Sequence, residues 1–250
     1  MALGSFFNRF FKKQTNKIAD YSGLSVDMHS HLLPGIDDGA ASMEQSIELI
    51  QAMKELGFRK LITTPHIMSD AYRNTPSIIH EKLQHVREAV REHDIDIEID
   101  AAAEYYLDHA FMDMIGREPL LTIGKNMVLF EVSYINAPEN INEAVFKLQM
   151  EGYTPILAHP ERYPFWYNSF ESYIKLKEKG VLFQLNVNSL SGYYSPAAKQ
   201  VAERMIDEGM IELLGTDTHH IRHMEGLKKS GIEKSFEKLL QSGKLLNTSL

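Results

Sequence analysis

The feature that most constrains the fold of this chain is alternation. Short apolar segments of strand type are each followed by a longer stretch with helical periodicity, along nearly the whole sequence. The strand-type segments are LSVDM (24–28), KLITT (60–64), IDIEIDAAA (95–103), NMVLFE (126–131), TPILA (154–158), VLFQLNV (181–187) and MIELLGT (210–216). Helical patterns fill 43–56, 76–93, 106–115, 139–151, 168–179 and 196–208, with another after 222. Gly57, Gly152, Gly180 and Gly209 follow four of them, where a helix end favours a residue that tolerates the left-handed conformation. Strands that alternate with helices pair most readily in parallel, so about seven such units predict an α/β fold with a parallel sheet closed or nearly closed into a barrel. An open doubly wound sheet is the alternative, but no glycine-rich phosphate loop follows the first strand.

No Pro-, Gly- or Ser-rich divider and no internal repeat interrupts the alternation, so residues 21–250 are expected to form one domain after an extension of residues 1–20. That extension carries Phe6, Phe7, Phe10 and Phe11 at helical spacing, with Arg9, Lys12, Lys13 and Lys17 and no acid. Residues 6–17 thus have the pattern of an amphipathic helix that seeks a membrane surface; a frayed end or an arm packed on the barrel is the plainer alternative. No apolar run is long enough to span a bilayer and no signal peptide is evident, so the expected location is cytoplasmic, with a peripheral position at the inner membrane face if the extension binds lipid.

Composition removes several classes of chemistry. The chain has no Cys, which excludes disulfides, thiolate metal sites and a phosphocysteine route. A formal net charge of -8 is the wrong sign for a protein that tracks nucleic acid by counterion release.

Residues able to bind metal gather at strand ends. His29 and His31 end the first strand, His66 follows the second, Glu104 ends the third, Glu131 the fourth and His159 the fifth, while Asp217 and His219 end the seventh. In a barrel these ends share one face, where active sites form. In His29-Ser30-His31 the alternation of an extended chain sends both imidazoles to one side, and Asp217-Thr218-His219 repeats the device. Singly, each residue is as well explained by a structural hydrogen bond or a helix cap; jointly they predict a metal centre. Asp37 and Asp38 precede Gly39 in the loop after the first strand, where either reaches an ion or caps the helix that starts near Ser42. His80, His85, His93 and His109 fall in polar helical segments and read as solvated, and His220 and His223 stay unassigned. Arg162 is placed to grip phosphate oxygens in two-pronged fashion, or to pair with a loop carboxylate. Tyr163, Phe165, Trp166 and Tyr167, with Tyr105 and Tyr106, are candidates for the walls of an aromatic pocket, or for ordinary packing.

Through VDMHSHLLPGIDDGA, TTPHIM, AAAEYYL, LFEVSY, AHPERYP and GTDTHH the sequence resembles the polymerase and histidinol phosphatase (PHP) superfamily, from about Val26 to beyond His219. More closely it resembles the CpsB/CapC-type protein-tyrosine phosphatases of bacterial capsule and exopolysaccharide operons. The resemblance implies a trinuclear site on a distorted (β/α)7 TIM-like barrel. His29, His31, Glu104 and Asp217 would hold one ion; Glu104, Glu131 and His159 a second; Asp38, His66 and His219 a third. It selects Asp38 over Asp37 as the ligand and makes Arg162 the phosphate-binding arginine. The family's second arginine falls five residues beyond the last His ligand; here that position is Met224, and Arg222, three beyond, is the nearest candidate to replace it.

Such a centre would lower the pKa of a bound water and neutralise a phosphate for in-line attack, with Arg162 stabilising the equatorial oxygens. A nitrogen and oxygen donor set suits manganese, iron, zinc or cobalt, and the resemblance favours manganese. The implied substrate is phosphotyrosine on a partner protein, a bacterial tyrosine autokinase. The competing readings are a small-molecule phosphatase of the histidinol phosphate type, a phosphodiesterase or exonuclease, a non-catalytic metal-binding docking module and an amidohydrolase-type enzyme, the last lacking its bridging lysine here.

Overall fold

The computed structural model describes residues 18–250; the membrane-seeking pattern expected at residues 6–17 lies outside them. Ala19, in the expected extension, is already buried in the core. The elements run β1 (Val26–Asp27), α1 (Met43–Glu55), β2 (Lys60–Thr63), β3 (His66–Ile67), α2 (Pro76–Glu92), β4 (Glu98–Ala101), β5 (Glu104–Tyr106), α3 (His109–Met114) and β6 (Met127–Glu131). They continue with α4 (Ile141–Met150), β7 (Thr154–Ala158), α5 (Phe170–Glu178), β8 (Leu182–Asn186), α6 (Pro196–Asp207), β9 (Leu213–Gly215), α7 (His223–Ser230) and α8 (Lys234–Gln241).

Every pairing between these strands is parallel, in the orders β1-β2-β4 and β3-β5-β6-β7-β8-β9. The curled parallel sheet agrees with the sequence expectation, but two strand paths are broken where the sequence suggested continuous runs. Pro65 has no N–H to give the ladder, and β3 starts only after it. The neighbouring path breaks at Ala102 and Ala103, so that Glu104 opens β5 and does not end the third strand. The bonds Ala102 N–H to Thr63 O (2.9 Å) and Glu104 N–H to Pro65 O (3.1 Å) carry the register across both breaks. At the opposite seam, a parallel bridge of Ser30 with Thr218 joins the last strand path to the first. Below it Asn247 donates to Val26 O (3.0 Å) and Leu214 O (2.7 Å) and accepts from Leu214 N–H (2.9 Å), tying β1 to β9.

Local chemistry fixes the helix starts. Thr75 and Ser195 precede Pro76 and Pro196 and cap α2 and α6 through side-chain oxygens, and Asp108 caps α3. Alternate strand residues divide the core: Val26, Ile62, Leu129, Ile156 and Leu213 form a small inner cluster, while a larger one fills the space between strands and helices. The inner cluster is a rigid apolar floor beneath the polar strand ends.

Candidate metal centre and active site

The strand ends bring His29, His31, Asp38, His66, Glu104, Glu131, His159, Asp217 and His219 together. His29, His31, Glu104, Glu131, His159 and Asp217 are buried, whereas His66, His219 and the more exposed Asp38 form the rim. Two backbone features allow this crowding. A Cβ on Gly39 would lie 2.1 Å from His31 O, and one on Gly215 would lie 2.5 Å from His29 Cβ, so only glycine admits either approach. His159 and Asp217 take positive φ values of 33° and 50°, an uncommon conformation for such residues that tends to occur at functional positions.

The spacing fits shared cations. Four donors about 2.1 Å from one tetrahedral ion stand about 3.4 Å apart. His29 Nε2 lies 3.1 Å from Glu104 Oε2 and 3.5 Å from Asp217 Oδ1; His31 Nε2 lies 3.4 Å from each of these and 3.3 Å from His29 Nε2. Asp38 Oδ1 stands 3.4 Å from His66 Nε2 and 3.3 Å from His219 Nε2. His159 Nε2 is 3.2 Å from Glu104 Oε1 and 3.9 Å from Glu131 Oε2. The grouping differs from the implied one in three respects, the first being that His159 gathers with His29 and Asp217 and not with Glu104 and Glu131. His66 Nδ1 lies 3.2 Å from both Glu104 and Glu131, so His66 stands between two ligand groups, and His31 also reaches the Asp38, His66 and His219 group.

The electrostatics describe a cage that holds protons where cations would go. Burial drives the Glu104 and Asp217 carboxyls up, but the facing histidines more than offset it and hold both well below the usual range. Burial lowers His29 while Glu104 and Asp217 raise it, for a net rise to about 9, and His31 is raised well above its ordinary value despite burial, chiefly by Asp37. His159 is lowered by burial and by Arg162. Asp38 falls to about 2 against partial burial, held down by His219.

Several supporting residues lie outside the strand-end pattern. Asp37 is not one of the clustered ligands: its Oδ2 accepts from His31 Nδ1 (2.8 Å) and from His66 N–H (3.2 Å). Gln184 Oε1 accepts from His29 Nδ1 (2.8 Å) and from His159 N–H (3.2 Å). Such outer partners fix which imidazole nitrogen faces a metal. The sixth strand contributes Asn186, whose Nδ2 donates to Asp217 Oδ2 at 2.9 Å. His223 Nδ1 accepts from His219 N–H at 3.1 Å, giving that histidine an orienting role. His80, His85, His93 and His109 are exposed, in agreement with their reading as solvated.

Arg162 reaches the cluster, and its Nη1 donates to Asp217 Oδ2 at 2.6 Å. Its guanidinium lies 3.9 Å from the Tyr194 ring centroid and 5.1 Å from that of Tyr134. Arg222 is exposed and lines a groove of about 560 Å³ with Ala52, Leu56, Glu225 and Lys228. No hydrogen bond or ion pair links it to the cluster among the described residues.

The aromatic expectation needs correction. Tyr163, Trp166 and Tyr105 are buried; Tyr163 OH accepts from Val132 N–H (3.1 Å) and Tyr105 OH from Leu121 N–H (2.8 Å), so these rings are core with satisfied polar tips. Of these, only Tyr163 meets a clustered residue, its ring centroid 5.7 Å from that of His159, and two further rings lie at the site. Tyr72 stacks on His66 at 5.5 Å and Tyr134 on His159 at 5.7 Å. A tyrosine shortly after a strand that carries a metal-type residue, His66 for Tyr72 and Glu131 for Tyr134, was the available signal, but the sequence alone does not orient it.

Residues 25–239 match the family model described as capsular polysaccharide synthesis, CpsB/CapC. The tyrosine-protein phosphatase YwqE of Bacillus subtilis is 27% identical over 198 residues, 79% of this chain and 78% of that protein. The putative tyrosine-protein phosphatase CapC of Staphylococcus aureus is 24% identical over 233 residues, 90% of this chain and 91% of that one. Crystal structures of YwqE from Bacillus subtilis and CpsB from Streptococcus pneumoniae, described as unique metal-dependent tyrosine phosphatases, include a chain that superposes with a TM-score of 0.80 at 26% identity, covering 90% of both chains. A histidinol phosphate phosphatase from Lactococcus lactis shares the fold, with a TM-score of 0.51 at 16% identity over 84% of this chain and 94% of that one. With most of its length matched by the family model, the chain belongs to the CpsB/CapC family.

Proposed function

We propose that the protein is a metal-dependent protein-tyrosine phosphatase that hydrolyses phosphotyrosine on a partner protein, a bacterial tyrosine autokinase controlling capsule or exopolysaccharide synthesis. The observation that carries the reading is the juxtaposition of Arg162 with nine clustered nitrogen and oxygen donors, Nη1 lying 2.6 Å from Asp217. The phosphatase names of the relatives over most of the chain support it. The donor set suits manganese, iron, zinc or cobalt, and the family resemblance favours three manganese ions, which would be held by His29, His31, Glu104 and Asp217; by Glu104, Glu131 and His159; and by Asp38, His66 and His219. Bound there, they supply a water activated for attack and neutralise phosphate charge.

The chain's own residues do the rest. Glu104 offers Oε1 toward His159 and Oε2 toward His29, the disposition of a bridging ligand. Asp217 is held on Oδ2 by Arg162 and Asn186, which leaves Oδ1 toward the histidines. Arg162 is the group that grips the phosphate, and a guanidinium suits two oxygens at once. No covalent phosphoenzyme is needed, in agreement with the absence of Cys from the chain. The site works from a cytoplasmic location, and among the described residues no helix is long and apolar enough to cross a membrane.

The test is a manganese-supplemented panel of phosphotyrosine peptide, phosphoserine peptide of the same sequence, histidinol phosphate and single-stranded DNA. The phosphotyrosine peptide is expected to be cleaved at least about tenfold more efficiently than the phosphoserine peptide. Equal rates, or a preference for histidinol phosphate, would remove the tyrosine assignment and leave a metal hydrolase; turnover of none would leave a docking module.

A further inference from the structure

Tyr194 lies outside every strand end, between β8 and α6, yet its ring is nearer the Arg162 guanidinium than that of Tyr134, 3.9 Å against 5.1 Å from Cζ to the ring centroid. Its hydroxyl accepts from Asn186 Nδ2 at 2.9 Å, and the same amide donates to Asp217 Oδ2 at 2.9 Å. An asparagine amide has two hydrogens, and here one goes to each neighbour. Asn186 is in turn pinned by its backbone N–H, which donates to the buried Glu161 at 3.1 Å; Ser189 Oγ donates to the same carboxylate oxygen at 2.6 Å. On the other side of Tyr194, Ser195 caps α6 by accepting from Ala198 N–H at 3.0 Å, ahead of Pro196. The ring is therefore held from both directions. Arg162 meets Tyr194 on one side, Tyr134 at 5.1 Å and Asp217 at its Nη1.

We infer that Tyr194 is a positioning residue: seated by Asn186, its ring holds the plane of the Arg162 guanidinium over the cluster so that the fork is pre-set for two phosphate oxygens. This rests on the reading of Arg162 as the phosphate-binding group. The physical need is clear. An arginine has many rotamers, and its value as a two-pronged ligand depends on losing little freedom when the phosphate arrives. An aromatic face restrains it without donating or accepting a hydrogen bond that phosphate would have to displace.

The test is a double-mutant cycle on the manganese-loaded full chain, with two readouts: turnover of a phosphotyrosine peptide and binding of inorganic phosphate by calorimetry. Tyr194→Ala is expected to lower kcat/KM and to weaken phosphate binding by about tenfold, as for loss of a partly buried cation–π contact. Tyr194→Phe keeps the ring and should stay within about threefold of the parent. In the Arg162→Ala background, Tyr194→Ala should change either readout by less than about twofold, because its effect passes through the missing side chain. Full additivity would overturn the inference, as would a Phe variant as impaired as the Ala variant or an Ala variant with parental phosphate affinity. Metal content and circular dichroism of each variant separate these outcomes from misfolding. If the parent binds phosphate but cleaves no phosphotyrosine peptide, the functional reading fails while the phosphate cycle still decides the role of Tyr194.

Discussion

Replacing Asp37 by alanine separates the task of holding the metal from the task of holding the phosphate. Both oxygens of this side chain are committed: Oδ2 accepts from His31 Nδ1 at 2.8 Å and from the backbone of His66 at 3.2 Å, and Oδ1 accepts from Gly39 N–H at 3.0 Å. One carboxylate thus orients two proposed ligands and shapes the loop that presents Asp38. Loss of an outer acceptor on a ligating histidine typically weakens metal binding by about 10–100-fold, which corresponds to roughly 1.4–2.7 kcal/mol. Among the described residues no hydrogen bond or ion pair joins Asp37 to Arg162, whose carboxylate partner is Asp217. Asp37→Ala should therefore lose activity at limiting manganese, regain most of it at excess manganese and keep a near-parental KM for phosphotyrosine peptide. Asp37→Asn, which retains an acceptor without the charge, should fall between. The assay is calorimetric titration of the metal-stripped protein, with folding checked by circular dichroism. A folded Asp37→Ala protein with parental metal affinity would refute the assigned role.

Three further outcomes follow from the same geometry. Arg162→Ala should keep its metal content yet lose on the order of a hundredfold in kcat/KM, as for a preorganised transition-state contact; near-parental kinetics would move the role elsewhere. Gly215→Ala forces a Cβ to 2.5 Å from His29 Cβ and 2.7 Å from Gln184 Nε2, and overpacking of this kind costs about 1–3 kcal/mol, readable as a lower Tm together with weaker metal binding. In metal-free protein the His29 imidazolium, raised from 6.5 to about 9, contributes stability that is complete below pH 6.5 and lost as pH rises to about 9. Over that window Tm in chelator should fall while metal affinity rises, because the proton on His29 must leave before that nitrogen can bind a cation; a metal affinity that falls with rising pH would contradict the assignment.

What was legible in the sequence was what depends on local spacing. His29-Ser30-His31 and Asp217-Thr218-His219 declare their geometry because extended chain alternates sides, and TPILA was bounded correctly as a strand because apolar content and turns agree there. The short β3 and β5 were missed because Pro65 and the Ala102–Ala103 pair break their paths and leave too few residues for a period. Asp37 and Asp38 could not be told apart by type or position; a fold contact from Asp37 to His31 and His66 separates them. Tyr163 and Tyr194 show the same limit in opposite directions. One follows the histidine-bearing strand closely but turns into the core, and the other lies over thirty residues away and closes over Arg162. Gln184 and Asn186 were hidden because an amide on a strand acquires a role only from the partners the barrel brings to it.

The measurement that bears most directly on the central claim is turnover of a phosphotyrosine peptide by one preparation in three states: as purified, stripped of metal to a content confirmed by elemental analysis, and reconstituted with manganese. The cluster should make activity vanish on stripping and return on reconstitution, and Glu104→Ala, which removes the proposed bridging carboxylate, should fail to regain either full metal content or activity. Undiminished turnover by the metal-free protein would contradict the account.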